Sequence, residues 1–287
     1  GFHEVYRVVP APDSNAASAT FAHARWQVLS DGTIELPNIE IPRDGVVKGM
    51  TRFAGGTFTM GARRVPDLPE AFRQMLSQVA PPTDKDVPAF FLDQTETTIG
   101  EYQQGGGNLH PALAGLPGSH PVTLVGFDEA VAYAERMGKR LPTEVEYEFA
   151  ATVGGTQGFP WGEEEARVVD WTFGAAGEPD WDRTPTQPPV YGLYSNVAEW
   201  TLSWLRPYRT PPFKLTDAGI IEGSRRGRVV RGGPSSLAKG EINPTEWKLG
   251  PEWRWALPRD SQYPGLGFRC ARSERPRFLA QASSGGP

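Results

Sequence analysis

Residues 120–155 read HPVTLVGFDEAVAYAERMGKRLPTEVEYEFAATVGG, and this stretch decides how the chain folds. In its first half, Ala130, Val131, Ala134 and Met137 recur at helical spacing and predict one apolar face. Asp128 stands where an N-cap belongs, and Gly138 followed by Lys139 and Arg140 supplies a stop. The second half opens on Thr143 with Glu146 three residues on, the pattern of a capping box, and ends at Gly154-Gly155. Two helices in tandem are therefore expected, with Arg140 and Glu144 forming an ion pair that organises them.

Outward from these helices the chain is short strands and loop. Gly and Pro number 33 and 28 in 287 residues, which implies much irregular backbone and excludes a helical bundle. GGTFTMG (55–61), PAFFLDQTETT (88–98) and Arg228 to Arg231 read as strands, and Ile99 to Gln104 as a short helix. Gly105 to Ser119 reads as loop. Near the N-terminus, Trp26–Leu29 and Thr33–Leu36 flank Ser30-Asp31-Gly32, a strong hairpin turn. Residues 1–48 are thus a β segment, either an edge extension of the main domain or a small module of its own.

Composition excludes several classes. The net charge of -5 argues against non-specific nucleic-acid binding. No stretch approaches the roughly 20 apolar residues of a membrane span. GFHEVYRVVP lacks the basic-then-apolar layout of a signal peptide, and the compartment is not read from this end. Cys270 is the only cysteine, so there is no intramolecular disulfide, cysteine-rich zinc site or CxxC pair. His110 and His120, each followed by Pro in loop, read as turn-ordering residues ahead of a metal pair. Asp170, Glu178, Asp180 and Asp182 lie in an irregular stretch, where carboxylates and exposed carbonyls together suit calcium.

The decisive stretch belongs to an ordered series: FTMG (58–61), FLDQTETTIGEY (91–102), FPWG (159–162), SNVAEWTLSW (195–204), RVVRGG (228–233) and LGFRCARS (266–273). In order and spacing it resembles the formylglycine-generating enzyme, or sulfatase-modifying factor, family over residues 50 to 275. The resemblance implies an α+β, C-type-lectin-like domain over 49–275, low in regular structure, with two principal helices and a flexible tail at 276–287. The family also holds iron-dependent sulfoxide synthases, an oxidase of pyoverdine maturation, sensor-like domains of bacterial kinases and variable proteins of diversity-generating retroelements. Fold is therefore implied more firmly than chemistry.

In the oxidising members, two cysteines after the RGG motif hold copper. Here those positions fall on Leu237 and about Ile242, which cannot ligate a metal, so formylglycine generation through copper is not expected. The resemblance implies structural calcium at two sites. Asp170 and Trp171 with Asp180 or Asp182 match the first, and Ser195, Val197 and Glu199 the second, although the loop before the second is shorter than the family's. The ligand face of the family lies between RGG and GFR, here Pro234 to Gly265. Trp247, Trp253, Arg254, Trp255, Arg259 and Tyr263 are its candidate contacts, because aromatics and arginine on loops make binding hot spots. At least two of the four aromatics are expected to be exposed, and the ligand to be an unidentified protein or small molecule. Non-catalytic recognition is the reading this favours, with a divergent oxidoreductase or tailoring enzyme as the alternative.

Overall fold

Apolar runs cut short by glycine and proline become strands of two to seven residues. The computed structural model describes residues 27–28, 34–35, 47–62, 82–162, 174–178, 180–205, 227–233 and 249–274. Along these run β1 (Gln27–Val28), β2 (Ile34–Glu35), β3 (Met50–Phe53), β4 (Gly56–Met60), β5 (Thr83–Val87) and β6 (Phe90–Asp93). Then come α1 (Ile99–Gln104), α2 (Phe127–Arg136), α3 (Glu144–Ala151), β7 (Ala198–Trp204), β8 (Arg228–Arg231), β9 (Arg254–Leu257), β10 (Leu266–Gly267) and β11 (Ala271–Ser273). The architecture is α+β, and among the described residues no helix is long and apolar enough to cross a membrane.

Four strands form a sheet in the order β10-β7-β8-β9, with β10 parallel to β7 and the other pairs antiparallel. A three-stranded antiparallel sheet has the order β11-β6-β3, and β4 pairs with β5 as a separate ribbon. β1 and β2 pair antiparallel with Val28 opposite Ile34, the hairpin expected there; its turn lies outside the described residues. α3 packs against both β4–β5 and β7–β8, and so ties the ribbon to the larger sheet.

The two helices form where expected, with differences that have local causes. The N-cap of α2 is Gly126, and Asp128 is already inside the first turn. Gly126 has no side chain to offer, so Glu129 reaches back and accepts the Gly126 N–H at 2.8 Å. The buried stripe is Phe127, Ala130, Tyr133 and Ala134, with Val131 partly buried and Met137 38% exposed. Met137 is the C-cap, where the chain leaves the helical path toward Gly138 at φ +68°, and its side chain swings off the stripe. Gly138 N–H on Glu135 O and Lys139 N–H on Ala134 O then close a Schellman turn. The capping box of α3 forms as read, Thr143 and Glu146 each accepting the other's backbone N–H.

Two apolar clusters fill the interior. One gathers α1 and α2 around Trp200 and Phe268, with the Phe127 ring edge-on to Trp200 at 5.8 Å. The other centres on Phe149 of α3, whose ring meets Phe53, Phe58 and Phe90 edge-on at 5.3 to 6.3 Å. Edge-to-face contacts at this spacing suit the aromatic quadrupole and add to the area buried.

Candidate functional site

On α3, Glu144, Glu146 and Glu148 each grip a different arginine. Arg254, on β9, places its guanidinium on both Glu144 oxygens at 3.0 and 2.8 Å. Arg140 binds Glu146 at 2.8 and 2.6 Å. Arg231, on β8, pairs with Glu148 and also donates to Glu252 O at 2.6 Å, while the Gly61 N–H donates to the other Glu148 oxygen. The expected Arg140–Glu144 pair is therefore corrected. Arg140 meets Glu146 because its backbone pairs with Ala271, which leaves Glu144 to the buried Arg254. Glu146 is held below the usual carboxylate range: burial opposes this, but Arg140 and the Thr143 cap outweigh it.

A second polar centre lies between β6, β7 and the GFR segment. Glu96, Asp182, Glu199 and Arg269 are all fully buried there. Arg269 Nε lies 3.0 and 2.8 Å from the two Glu199 oxygens, and its Nη2 is 2.8 Å from Oε1. The same guanidinium donates to Gly192 O at 3.0 Å and Asp93 O at 3.4 Å. Tyr147 OH lies 3.0 Å from Glu199 Oε1. Glu96 comes within 3.9 Å of Arg269, but neither of its oxygens makes a hydrogen bond. Burial raises its pKa to about 8, Arg269 pulling it down and Glu199 pushing it up. The Asn196 amide lies near enough to lower it slightly without reaching bonding geometry. Gly192 has φ +65°, and a Cβ there would stand 2.6 Å from Glu96 Oε1, so only glycine fits beside this carboxyl.

Asp182 is the other carboxylate of note. Its Oδ2 accepts from Tyr194 N, Ser195 N and Ser195 Oγ at 3.0, 2.7 and 2.7 Å, whereas Oδ1 is buried without a partner. Burial raises its pKa against those three hydrogen bonds. An orphaned carboxylate oxygen in the interior is unusual and has the donor chemistry of a hard cation site. Asp180, two residues away, instead faces solvent and pairs with Arg183 at 3.0 Å. Asp170 and Trp171 lie outside the described residues. Ser195, Val197 and Glu199 are all buried, with the Ser195 hydroxyl turned to Asp182 and Glu199 to Arg269 and Tyr147. Among the described residues no group of three or more His, Cys, Asp and Glu is arranged to hold a metal.

The candidate ligand contacts divide. Tyr263 is 44% exposed, and Arg259 is exposed with Asp128 as its partner and the Phe127 ring 5.5 Å away. Trp255 is half-buried against the core around Trp200. Trp253 is only 4% exposed, edge-on to Trp255 at 5.7 Å, and Arg254 is fully buried on Glu144. The expected outward placement of Trp253 and Arg254 is thus corrected: Arg254 pairs with Arg231 across β9 and β8 and is buried on Glu144, and Trp253, in the turn before β9, is buried beside Trp255. Trp247 and the positions Leu237 and Ile242 lie outside the described residues. Cys270 is buried, its N–H donating to Asp93 Oδ2 at 3.0 Å, and burial pushes its thiol well up. His110 caps a short 3-10 turn, its Nδ1 accepting from Ala112 N at 3.2 Å. Sequence reasoning missed Glu96, although it sits inside the FLDQTETT motif; nothing local distinguishes it from a surface glutamate.

A domain model described as sulfatase-modifying factor enzyme 1-like matches residues 39–274. The formylglycine-generating enzyme of Mycobacterium tuberculosis is 52% identical over 176 residues, covering 53% of this chain and 56% of that enzyme. Hercynine oxygenase of Mycolicibacterium smegmatis is 30% identical over 272 residues, 76% of this chain and 60% of the oxygenase. Among solved structures, Treponema denticola variable protein 1 superposes with a TM-score of 0.51 at 18% identity, over 78% of this chain and 94% of that one. It shares the C-type-lectin-like fold. Across the curated relatives the chain spans 24 to 60% of their own length.

Proposed function

The chain belongs to the sulfatase-modifying factor family, and from that premise we propose that it is a recognition module in which the scaffold is kept and the copper centre is not. The observation that carries this reading is its cysteine usage. Leu237 and Ile242 stand where the resemblance places the copper-binding pair. The one cysteine left, Cys270, is buried with a thiol held protonated, whereas a metal ligand must be a thiolate. Exposed Arg259 and Tyr263 support a contact surface on the segment before β10, open to a protein or small-molecule ligand. Calcium, which the family implies, fits at Asp182, where a buried carboxylate oxygen still lacks a partner. Asp182 and, by the resemblance, Asp170 and Trp171 would hold the ion there as a brace between loops.

A divergent oxygenase is the second reading, favoured by the length of the alignment with hercynine oxygenase. Metal analysis of protein purified without chelator separates the two. The recognition reading expects calcium or no metal, and copper or iron near one equivalent per chain would overturn it.

A further inference from the structure

We infer that Arg269 takes the place of a cation at the second of the two expected calcium sites, so that Glu199 is neutralised by a built-in guanidinium and not by a metal. The resemblance puts Ser195, Val197 and Glu199 around an ion, and calcium requires roughly six to eight oxygens converging on it. The residues present do not converge. Both Glu199 oxygens lie on the Arg269 fork, and Oε1 also faces the Tyr147 hydroxyl. The Ser195 hydroxyl is spent on Asp182, and Asn196 Oδ1 accepts the Gly174 N–H at 3.3 Å.

Arg269 meanwhile collects the ligand types a cation would seek. It is fully buried and reaches two carboxylate oxygens and two backbone carbonyls, those of Gly192 and Asp93. A planar, always-charged guanidinium can hold such a set through directional hydrogen bonds, which a spherical ion cannot. A dication placed on Glu199 would sit against that positive charge in a medium that screens poorly. The neighbouring Asp182 makes the contrast: its Oδ2 accepts from Tyr194 N, Ser195 N and Ser195 Oγ, and among the described residues its Oδ1 has no hydrogen-bond partner. Within one polar centre, Asp182 thus keeps an oxygen for a metal while Glu199 has closed around an internal cation.

The test is calcium stoichiometry on the full chain. Wild type, Asp182→Asn and Glu199→Gln are stripped with chelator, dialysed and titrated with calcium by calorimetry, with a terbium luminescence titration as a second readout. The inference expects no more than one ion in wild type, none in Asp182→Asn, and a Glu199→Gln protein that binds as wild type does. Two ions per chain, or an ion in Asp182→Asn that Glu199→Gln abolishes, would overturn it. A wild type that binds no calcium upholds the inference while removing the calcium brace proposed at Asp182. Arg269→Met adds an independent arm, read as melting temperature with and without millimolar calcium. A larger calcium-dependent rise in the variant than in wild type shows the vacated place accepting the ion, and an equal rise counts against the inference. Should that variant not fold in either condition, the stoichiometry of the other three decides.

Discussion

Replacing Trp253 by alanine separates a ligand-facing ring from a structural one. The side chain is 4% exposed and packs edge-on against Trp255 at 5.7 Å. Its Nε1 makes no hydrogen bond, so the loss is one of packing and buried area alone. Truncating a buried aromatic to alanine costs about 3–5 kcal/mol, through lost transfer energy and the cavity left behind. For a domain of this size each kcal/mol moves Tm by about 2–4 °C, so Trp253→Ala should melt roughly 6–20 °C below wild type. Tyr263→Ala, at an exposed ring, should stay within about 0.5 kcal/mol. The assay is urea unfolding followed by far-ultraviolet circular dichroism, because the substitution alters tryptophan fluorescence. A loss below about 1 kcal/mol for Trp253→Ala would refute the burial argument and return this ring to the candidate contact surface.

Three further outcomes follow from the polar centres. Arg231→Met strands Glu148 in the interior and should cost about 3–5 kcal/mol in urea melts, whereas Arg183→Met, at an exposed pair, should cost less than about 1 kcal/mol. Thr143→Ala removes the N-cap of α3 and should cost about 1 kcal/mol, with Thr143→Ser near wild type. Burial lifts the folded pKa of Glu96 to about 8, above the 4.5 ordinary for a glutamate, so the folded state binds the extra proton between these values. Stability should therefore be complete below the lower value and fall as pH rises toward 8, at up to about 1.4 kcal/mol per pH unit. Glu96→Gln should flatten that slope, which urea melts at a series of pH values would show.

The helices and the strands around 56–60, 90–93 and 228–231 were legible because their determinants are local. Thr143 and Glu146 sit three residues apart, and Gly138 ends α2 by its own backbone conformation, so neighbours in sequence suffice to place both. Partners in the polar centres were not legible, because pairing across the sheet and loops sets them. Arg254 finds Glu144 over a separation of 110 residues, and Arg269 finds Glu199 over 70. The tryptophans show the same limit. Trp253 and Trp255 look like a surface pair in sequence, yet the turn before β9 buries the first, and the pairing of Trp255 with Val230 across β9 and β8 leaves the second partly buried. The absence of the cysteine pair was legible because the resemblance places it on Leu237 and Ile242, and no side-chain orientation can make leucine or isoleucine a ligand.

A loop-built fold has few long ladders of backbone hydrogen bonds, and its loops need another means of being fixed. Buried arginines meet that need, because one guanidinium donates in several directions and can join a carboxylate to the carbonyls of separate segments. Arg231 joins α3 to the turn before β9, and Arg269 joins β7 to the Gly192 and Asp93 backbones. Pairs of this kind add little net stability once desolvation is counted, but breaking one is costly, so they fix which loop goes where. The four arginines and their carboxylates come from segments of the chain other than Leu237 and Ile242. Leucine and isoleucine at the expected cysteine positions therefore remove none of these ties, so the scaffold of this family does not depend on that cysteine pair.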